Sequence, residues 1–244
     1  MNIKLAIPNR GRLAELCCDI VNSSYNLKIR LEDRIMSYTT VNDDIETEIL
    51  LLRSTEIPKL LESNDVNIGI TGNDYFLDSG ANIIEGNNLF LFNGLLCILS
   101  SQYGVIGCYS DLLNSSNLRC YSQYKNISKQ FFEKINSSIN VTGIDGAAET
   151  YFGLNLCDLV IDVVTTGSTF AKNQLKVLFP IMPVSTHIYI NNEFSNKYSE
   201  LCRSTIYKIC GQHMQLLNKE DSNTYTTYNK AIEIFKDNNK RSCL

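Results

Sequence analysis

Short apolar runs alternate with helical stripes along most of this chain. Ile3–Ile7 is a compact apolar run and predicts a strand, and Leu13–Val21 repeats its apolar residues at helical spacing. Glu48–Leu52 and Val66–Thr71 predict two more strands, with a short helix over Ile57–Leu61 between them. Asn73–Asp78 predicts a helix that opens after a turn at Gly72. The segment Glu85-Gly86-Asn87-Asn88 reads as a loop, and Asn93-Gly94 as a turn or crossover. A second alternating block follows, with strands over Asn117–Tyr121, Ile139–Gly143 and Asp158–Val164. Helices over Ile127–Ile135 and Ala147–Gly153 lie between them. Lys176–Val184 and Thr186–Ile190 predict strands leading back to the first block. A long helix is expected over Phe194–Leu217, with a break near Gly211, then a polar loop (Asn218–Thr227), a last helix (Tyr228–Lys236) and a frayed end. Strand and helix in regular alternation define an α/β protein.

Composition narrows the picture. The 244 residues, 44% hydrophobic and 20% charged, have the balance of a globular protein large enough to bury a real core. The longest apolar runs, Leu89–Phe92 and Leu95–Leu99, are separated by Asn93 and Gly94 and are far too short for a membrane span. The amino-terminal stretch Met1–Pro8 has no secretory apolar region, so the expected location is cytoplasmic. A net charge of −4 argues against a nucleic-acid surface, and it means that any anionic ligand must meet locally concentrated cations. The nine cysteines form no C-x-x-C pair, which points to buried reduced thiols. His187 and His213 lie in strand-like and helix-like contexts with no carboxylate or cysteine at ligand spacing, and both read as structural.

The chemistry concentrates where strands end. The apolar strand before Thr165 contains Asp162 and runs into Thr165-Thr166-Gly167-Ser168-Thr169, a loop of small hydroxyl residues around one glycine. Converging N–H groups and hydroxyl donors suit a phosphate monoester, and Asp162 suits ribose hydroxyls. The same five residues also suit a plain strand-to-helix turn with an N-cap. A second cluster, Arg10-Gly11-Arg12, follows the first strand, where guanidiniums can grip phosphate oxygens in bidentate fashion. Arg53 and Asp74 follow two further strands, at the end where open α/β sheets bind ligands.

Together these residues resemble the ATP phosphoribosyltransferase family, which begins histidine biosynthesis. The strongest match runs from Glu149 through Gly153, Asp158, Asp162 and Gly167 to Leu175. It is similar to the family signature E-x-x-x-G-x-x-D-x-I-x-D-x-V-S/T-x-G-x-T-L. Pro8–Leu13 resembles P-N-K-G-x-L with Arg10 in place of the lysine, Arg53–Pro58 resembles R-x-x-D-I-P, and Val66–Asp74 resembles D-L-G-I-x-G-x-D. Tyr124–Phe132 resembles Y-P-x-L-T-x-x-Y-F. Two departures stand out: Phe170 replaces a usual Leu or Met, and Asn93–Ile98 lacks the arginine of the family's G-x-C-R-L stretch.

The resemblance implies a type II periplasmic-binding-protein-like fold with a central cleft between two lobes. Residues 1–93 and 180–217 would form lobe I, on the ATP side; residues 94–179 would form lobe II, which carries the loop for phosphoribosyl pyrophosphate (PRPP); residues 218–244 would be a tail. It places PRPP on Glu149, Asp162, Thr165, Thr166, Gly167, Ser168 and Thr169, and ATP on Arg10, Gly11, Arg12, Arg53 and Asp74. Asp162, Arg10 and Arg12 would be the catalytic residues. Mg²⁺ would arrive largely on the pyrophosphate rather than in a protein site. The resemblance is to the short form, whose members work with a separate regulatory subunit resembling a histidyl-tRNA synthetase, so a homo- or hetero-oligomer is expected. Two other readings stay open: a non-catalytic two-lobed binding protein, and a phosphoribosyltransferase for another base.

Overall fold

The computed structural model describes residues 2–217, apart from 34, 43, 105, 116, 136–137, 147 and 166–173. In chain order the elements are β1 (Asn2–Pro8), α1 (Ala14–Tyr25), β2 (Ser37–Asn42), β3 (Ile45–Leu52), α2 (Ile57–Glu62), β4 (Ile68–Gly72) and α3 (Asn73–Ser79). Then come β5 (Ile84–Ser101), α4 (Tyr109–Asn114), β6 (Arg119–Ser122), α5 (Lys125–Lys134), β7 (Asn140–Gly143), α6 (Ala148–Gly153) and β8 (Leu159–Val164). β9 (Leu175–Ile190), α7 (Asn192–Lys197) and α8 (Ser199–Leu217) complete the series. Two compact units result. One is Met1–Phe92 with the chain's return from Ser185, and the other holds Asn93–Val184. β5 begins in the first unit and finishes in the second, and β9 makes the reverse passage.

In the first unit the strand order is β2-β3-β1-β4-β9. β3, β1 and β4 are parallel, while β2 and β9 run antiparallel at the two sides. β1 is apolar on both faces because helices cover both. Ile3, Leu5 and Ile7 pack with α1, α7 and α8, and Ala6 packs with Ile57 and Leu61 of α2. α1 ends at Asn26, whose left-handed backbone (φ 53°) returns its N–H to Asn22. α7 starts on the Asn191 side chain, which accepts from the Phe194 N–H at 2.8 Å. The second unit repeats the scheme in the order β5-β8-β6-β7, with β8, β6 and β7 parallel and β5 antiparallel to β8. Its core gathers Leu95, Cys97, Leu99, Val160 and Leu175.

Several local expectations are corrected. Glu85–Asn88 and Asn93-Gly94 are not a loop and a turn but parts of the single strand β5. The segments expected as two strands around Ser185 are likewise one strand, β9. In β5, pairing with its neighbours β9 and β8 overrides the turn preference of Asn and Gly. The helical stretch near the end breaks at Tyr198, with Gly211 inside α8. β2 and α4 escaped the pattern altogether; β2 has no buried residue and owes its form to β3. The expected elements beyond residue 217 lie outside the described residues. Among the described residues no helix is long and apolar enough to cross a membrane. All eight described cysteines are free, six of them buried, and burial pushes the Cys18 and Cys157 thiols up to about 11.

Candidate active site

The parallel strands of the first unit end side by side. Pro8 at the end of β1 is level with Leu52 at the end of β3, and Ala6 is level with Gly69 two residues into β4. The two loops after β1 and β3 and the helix α3 after β4 therefore leave one edge of the sheet, and they carry Arg10-Gly11-Arg12, Arg53 and Asp74. A hydrogen bond from the Asn9 N–H to the Leu52 carbonyl (2.7 Å) joins the first two, and one from the Thr71 hydroxyl to the Ser54 carbonyl (3.2 Å) joins the last two. Gly11 takes φ +81°, a left-handed turn that a side chain would strain, and its carbonyl accepts from the Ala14 N–H at 3.2 Å to open α1.

Arg12 and Asp74 meet at this edge. Arg12 Nη2 donates to Asp74 Oδ2 at 2.5 Å, with the Asp74 side chain fully buried and that of Arg12 28% exposed. The guanidinium also lies over the Tyr75 ring, 5.7 Å from its centre. Gly72 leaves room for this arrangement, since a Cβ there would collide with Asp74 Oδ1. Asp74 occupies the first turn of α3, where the helix dipole favours a carboxylate. Arg10 and Arg53 are exposed and form no ion pair among the described residues. The Arg53 carbonyl accepts from the N–H groups of Glu56 (2.9 Å) and Ile57 (3.3 Å), so its loop is held by the start of α2 while its guanidinium stays available. One half-buried cation held by a buried carboxylate and two solvent-facing cations make a surface suited to polyphosphate.

In the second unit, Asp162 stands two residues from the end of β8, level with Cys97 of β5. It is half-buried, and its Oδ1 accepts from the Val163 N–H at 2.7 Å. Burial first, and the Asp162 charge second, push the Cys97 thiol up to about 12, so this cysteine is a packing group beside the carboxylate. Thr165 is half-buried in the bend after β8. Thr166, Gly167, Ser168 and Thr169 lie outside the described residues, and Glu149 is placed on α6. Among the described residues no group of three or more His, Cys, Asp and Glu is arranged to hold a metal ion.

Arg10, Gly11, Arg12, Arg53 and Asp74 thus share one sheet edge of the first unit, and Asp162 and Thr165 share the end of β8 in the second. The motifs assigned no role to Asn73, whose Oδ1 accepts from the Ser185 N–H at 2.9 Å, or to Tyr75, whose ring lies beneath the Arg12 guanidinium. They also missed Glu85, which lies 2.7 Å from His187 although far from it along the chain. Adjacency to Asp74 was the available signal for the first two; for Glu85 there was none.

A family model described as HisG: ATP phosphoribosyltransferase matches residues 53–211. An ATP phosphoribosyltransferase of Methanocaldococcus jannaschii is 28% identical over 193 residues, covering 78% of this chain and 65% of that protein. One from Sulfolobus acidocaldarius is 31% identical over 201 residues, covering 81% of this chain and 68% of that protein. The chain therefore spans only about two thirds of the length of these curated relatives. Among solved structures, the ATP phosphoribosyl transferase (HisG:HisZ) complex from Thermotoga maritima matches with a TM-score of 0.73 at 22% identity, covering 87% of this chain and 99% of that chain. The periplasmic aliphatic sulphonate binding protein SsuA from Escherichia coli matches at 0.58 and 11% identity, covering 98% of this chain and 82% of that chain. At such identities these two likenesses speak to the fold, which is the two-lobed α/β fold of periplasmic binding proteins.

Proposed function

The chain belongs to the ATP phosphoribosyltransferase family, and from that premise we propose that it transfers the 5-phosphoribosyl group of PRPP to N1 of the adenine of ATP. The lone pair of N1 forms the new bond to the anomeric carbon while the bond from that carbon to the pyrophosphate oxygen breaks. The electron pair of the broken bond leaves on pyrophosphate. N1 carries no proton at neutral pH, so no general base is required. The developing charges sit on a ribosyl cation and a departing polyphosphate, which makes positioning and neutralisation the main tasks of the protein.

The reading assigns Arg10, Gly11, Arg12, Arg53 and Asp74 to ATP, and Glu149, Asp162 and Thr165–Thr169 to PRPP, in lobes that follow residues 1–93 with 180–217 and residues 94–179. Asp162, Arg10 and Arg12 act on the reacting groups. A divalent ion, Mg²⁺ in this proposal, enters as part of the substrate on pyrophosphate. A regulatory subunit resembling a histidyl-tRNA synthetase is the proposed partner and the cytoplasm the proposed location. What supports the reading above all is the Arg12–Asp74 pair: a buried carboxylate holds one guanidinium at the edge where Arg10 and Arg53 also emerge.

An ultraviolet assay for phosphoribosyl-ATP, run with and without a candidate regulatory subunit, tests the activity. Asp162→Asn and Thr169→Val should each lower turnover by roughly tenfold to a thousandfold, the range for losing one or two charge-assisted contacts. No product under either condition, or variants within about twofold of wild type, would refute the reading or these roles respectively.

A further inference from the structure

A chain of polar contacts in the first unit is not used by this chemistry. His187 of β9 stands level with Thr71 of β4. Its Nε2 lies 2.8 Å from the Ser185 hydroxyl, and its Nδ1 lies 2.7 Å from Glu85 Oε1. The second contact is close but poorly aligned for a hydrogen bond, so Glu85 acts on the ring mainly through its charge. Asn88 Nδ2 donates to the same Ser185 hydroxyl at 3.2 Å, and the Ser185 N–H donates to Asn73 Oδ1 at 2.9 Å. Asn73 is the first residue of α3 and immediately precedes Asp74, the buried partner of Arg12. An aromatic path runs in parallel: His187 stacks on Tyr189 (6.0 Å between centres), and Tyr189 packs on Phe76 of α3 (4.5 Å).

The proton placement follows. Burial pushes the His187 pKa down, against the opposing charge of Glu85, so the ring is neutral at neutral pH. The Glu85 charge favours the proton on Nδ1, which leaves Nε2 to accept the Ser185 O–H while the Ser185 oxygen accepts from Asn88. Among the described residues, the other ionisable groups along this path are Tyr189 itself, whose phenol is raised by burial and then by Glu85 and Asp74, and the Arg12–Asp74 pair. Carboxylate, imidazole and hydroxyl in this order are also the parts of a nucleophile-activating triad. Here, however, the Ser185 N–H is committed to Asn73 and cannot serve as an oxyanion donor.

We propose that the Glu85–His187–Ser185–Asn73 chain is a positioning device for the nucleotide site: it fixes the start of α3, and through Asp74 it holds Arg12 in its binding orientation. This rests on the reading of Arg12 as an ATP contact. When His187 gains a second proton, both ring nitrogens become donors, the Ser185 hydroxyl loses its acceptor, and the start of α3 loosens.

Calorimetry of ATP binding to the full chain, at pH 8 and at pH 5, tests this, the lower pH lying well below the ordinary 6.5 because burial lowers the His187 pKa. Wild-type affinity should fall between the two pH values. His187→Phe, which keeps the aromatic stack, should weaken binding by about three- to thirtyfold at pH 8 and flatten the pH dependence. His187→Gln, which restores a donor and acceptor beside Ser185, should recover most of the loss. In an Arg12→Ala background the His187→Phe effect should disappear, because the device acts through that arginine. Wild-type affinity in folded His187→Phe, a failed Gln rescue, or an undiminished effect in the Arg12→Ala background overturns the device alone. Absence of ATP binding by wild type overturns the nucleotide reading and the device together.

Discussion

Each unit contains an arginine–aspartate pair, and the two pairs are built differently. In the second unit, Arg119 and Asp158 lie at the amino ends of β6 and β8. The carboxylate accepts from the Arg119 backbone N–H (2.8 Å), Nε (3.2 Å) and Nη2 (3.1 Å). The side chains are 49% and 34% exposed, so water competes for every contact. In the first unit, Arg12 and Asp74 lie at the carboxyl ends of strands, with Asp74 fully out of water. A forked pair in solvent sets strand register. A buried carboxylate with a partly open guanidinium instead orients a cation, at the edge where α/β sheets take ligands. Burial and position in the sheet separate the two roles, where residue type does not.

Asp74→Ala should have the largest effect. Removing one partner of a buried pair destabilises by several kcal/mol; about 3 kcal/mol is expected here, because Arg12 keeps a route to water. Chemical denaturation measures it, and a change equal to that of Arg119→Ala would erase the distinction between the pairs. Gly72→Ala should follow at about 2 kcal/mol, since its methyl group collides with Asp74 Oδ1. That penalty should largely vanish when combined with Asp74→Ala, and purely additive effects would deny the collision.

Arg53→Ala should weaken ATP binding about tenfold, as befits one lost charge-assisted contact, and leave stability within about 0.5 kcal/mol of wild type. Loss of folding with intact binding would reverse that assignment. Arg119→Ala should change least at neutral pH. Its signature is at acid pH, because Arg119 holds the Asp158 carboxyl below its ordinary value of 3.8. A carboxyl lowered in the folded state contributes stability above its unfolded value, and that stability is lost as pH falls through the lowered one. The wild type should therefore lose its advantage over Arg119→Ala on acidification, and parallel pH curves would exclude the pair as the cause.

How much of the site was legible follows from these particulars. Arg10-Gly11-Arg12, Arg53 and Asp74 announce themselves because each follows a short apolar run, and strand ends are marked locally by Gly, Pro and charge. The ion pair of Arg12 with Asp74 was not legible, because its partners stand far apart in the chain and only the alignment of β1 with β4 brings them together. His187 looked inert for the same reason: Glu85 reaches it from β5, a strand that the Asn- and Gly-rich Glu85–Asn88 segment disguised as a loop.

On its own, the amino-acid order settled the α/β alternation, the family and the loops that carry the charge, since hydrophobic period, turn residues and motif spacing are properties of neighbours in the chain. The long strands β5 and β9, the burial of Asp74 and the identity of every ion pair were decided by the tertiary structure. Hydrogen-bond partners and access to water depend on which distant segments pack together, and local periodicity carries no record of that choice.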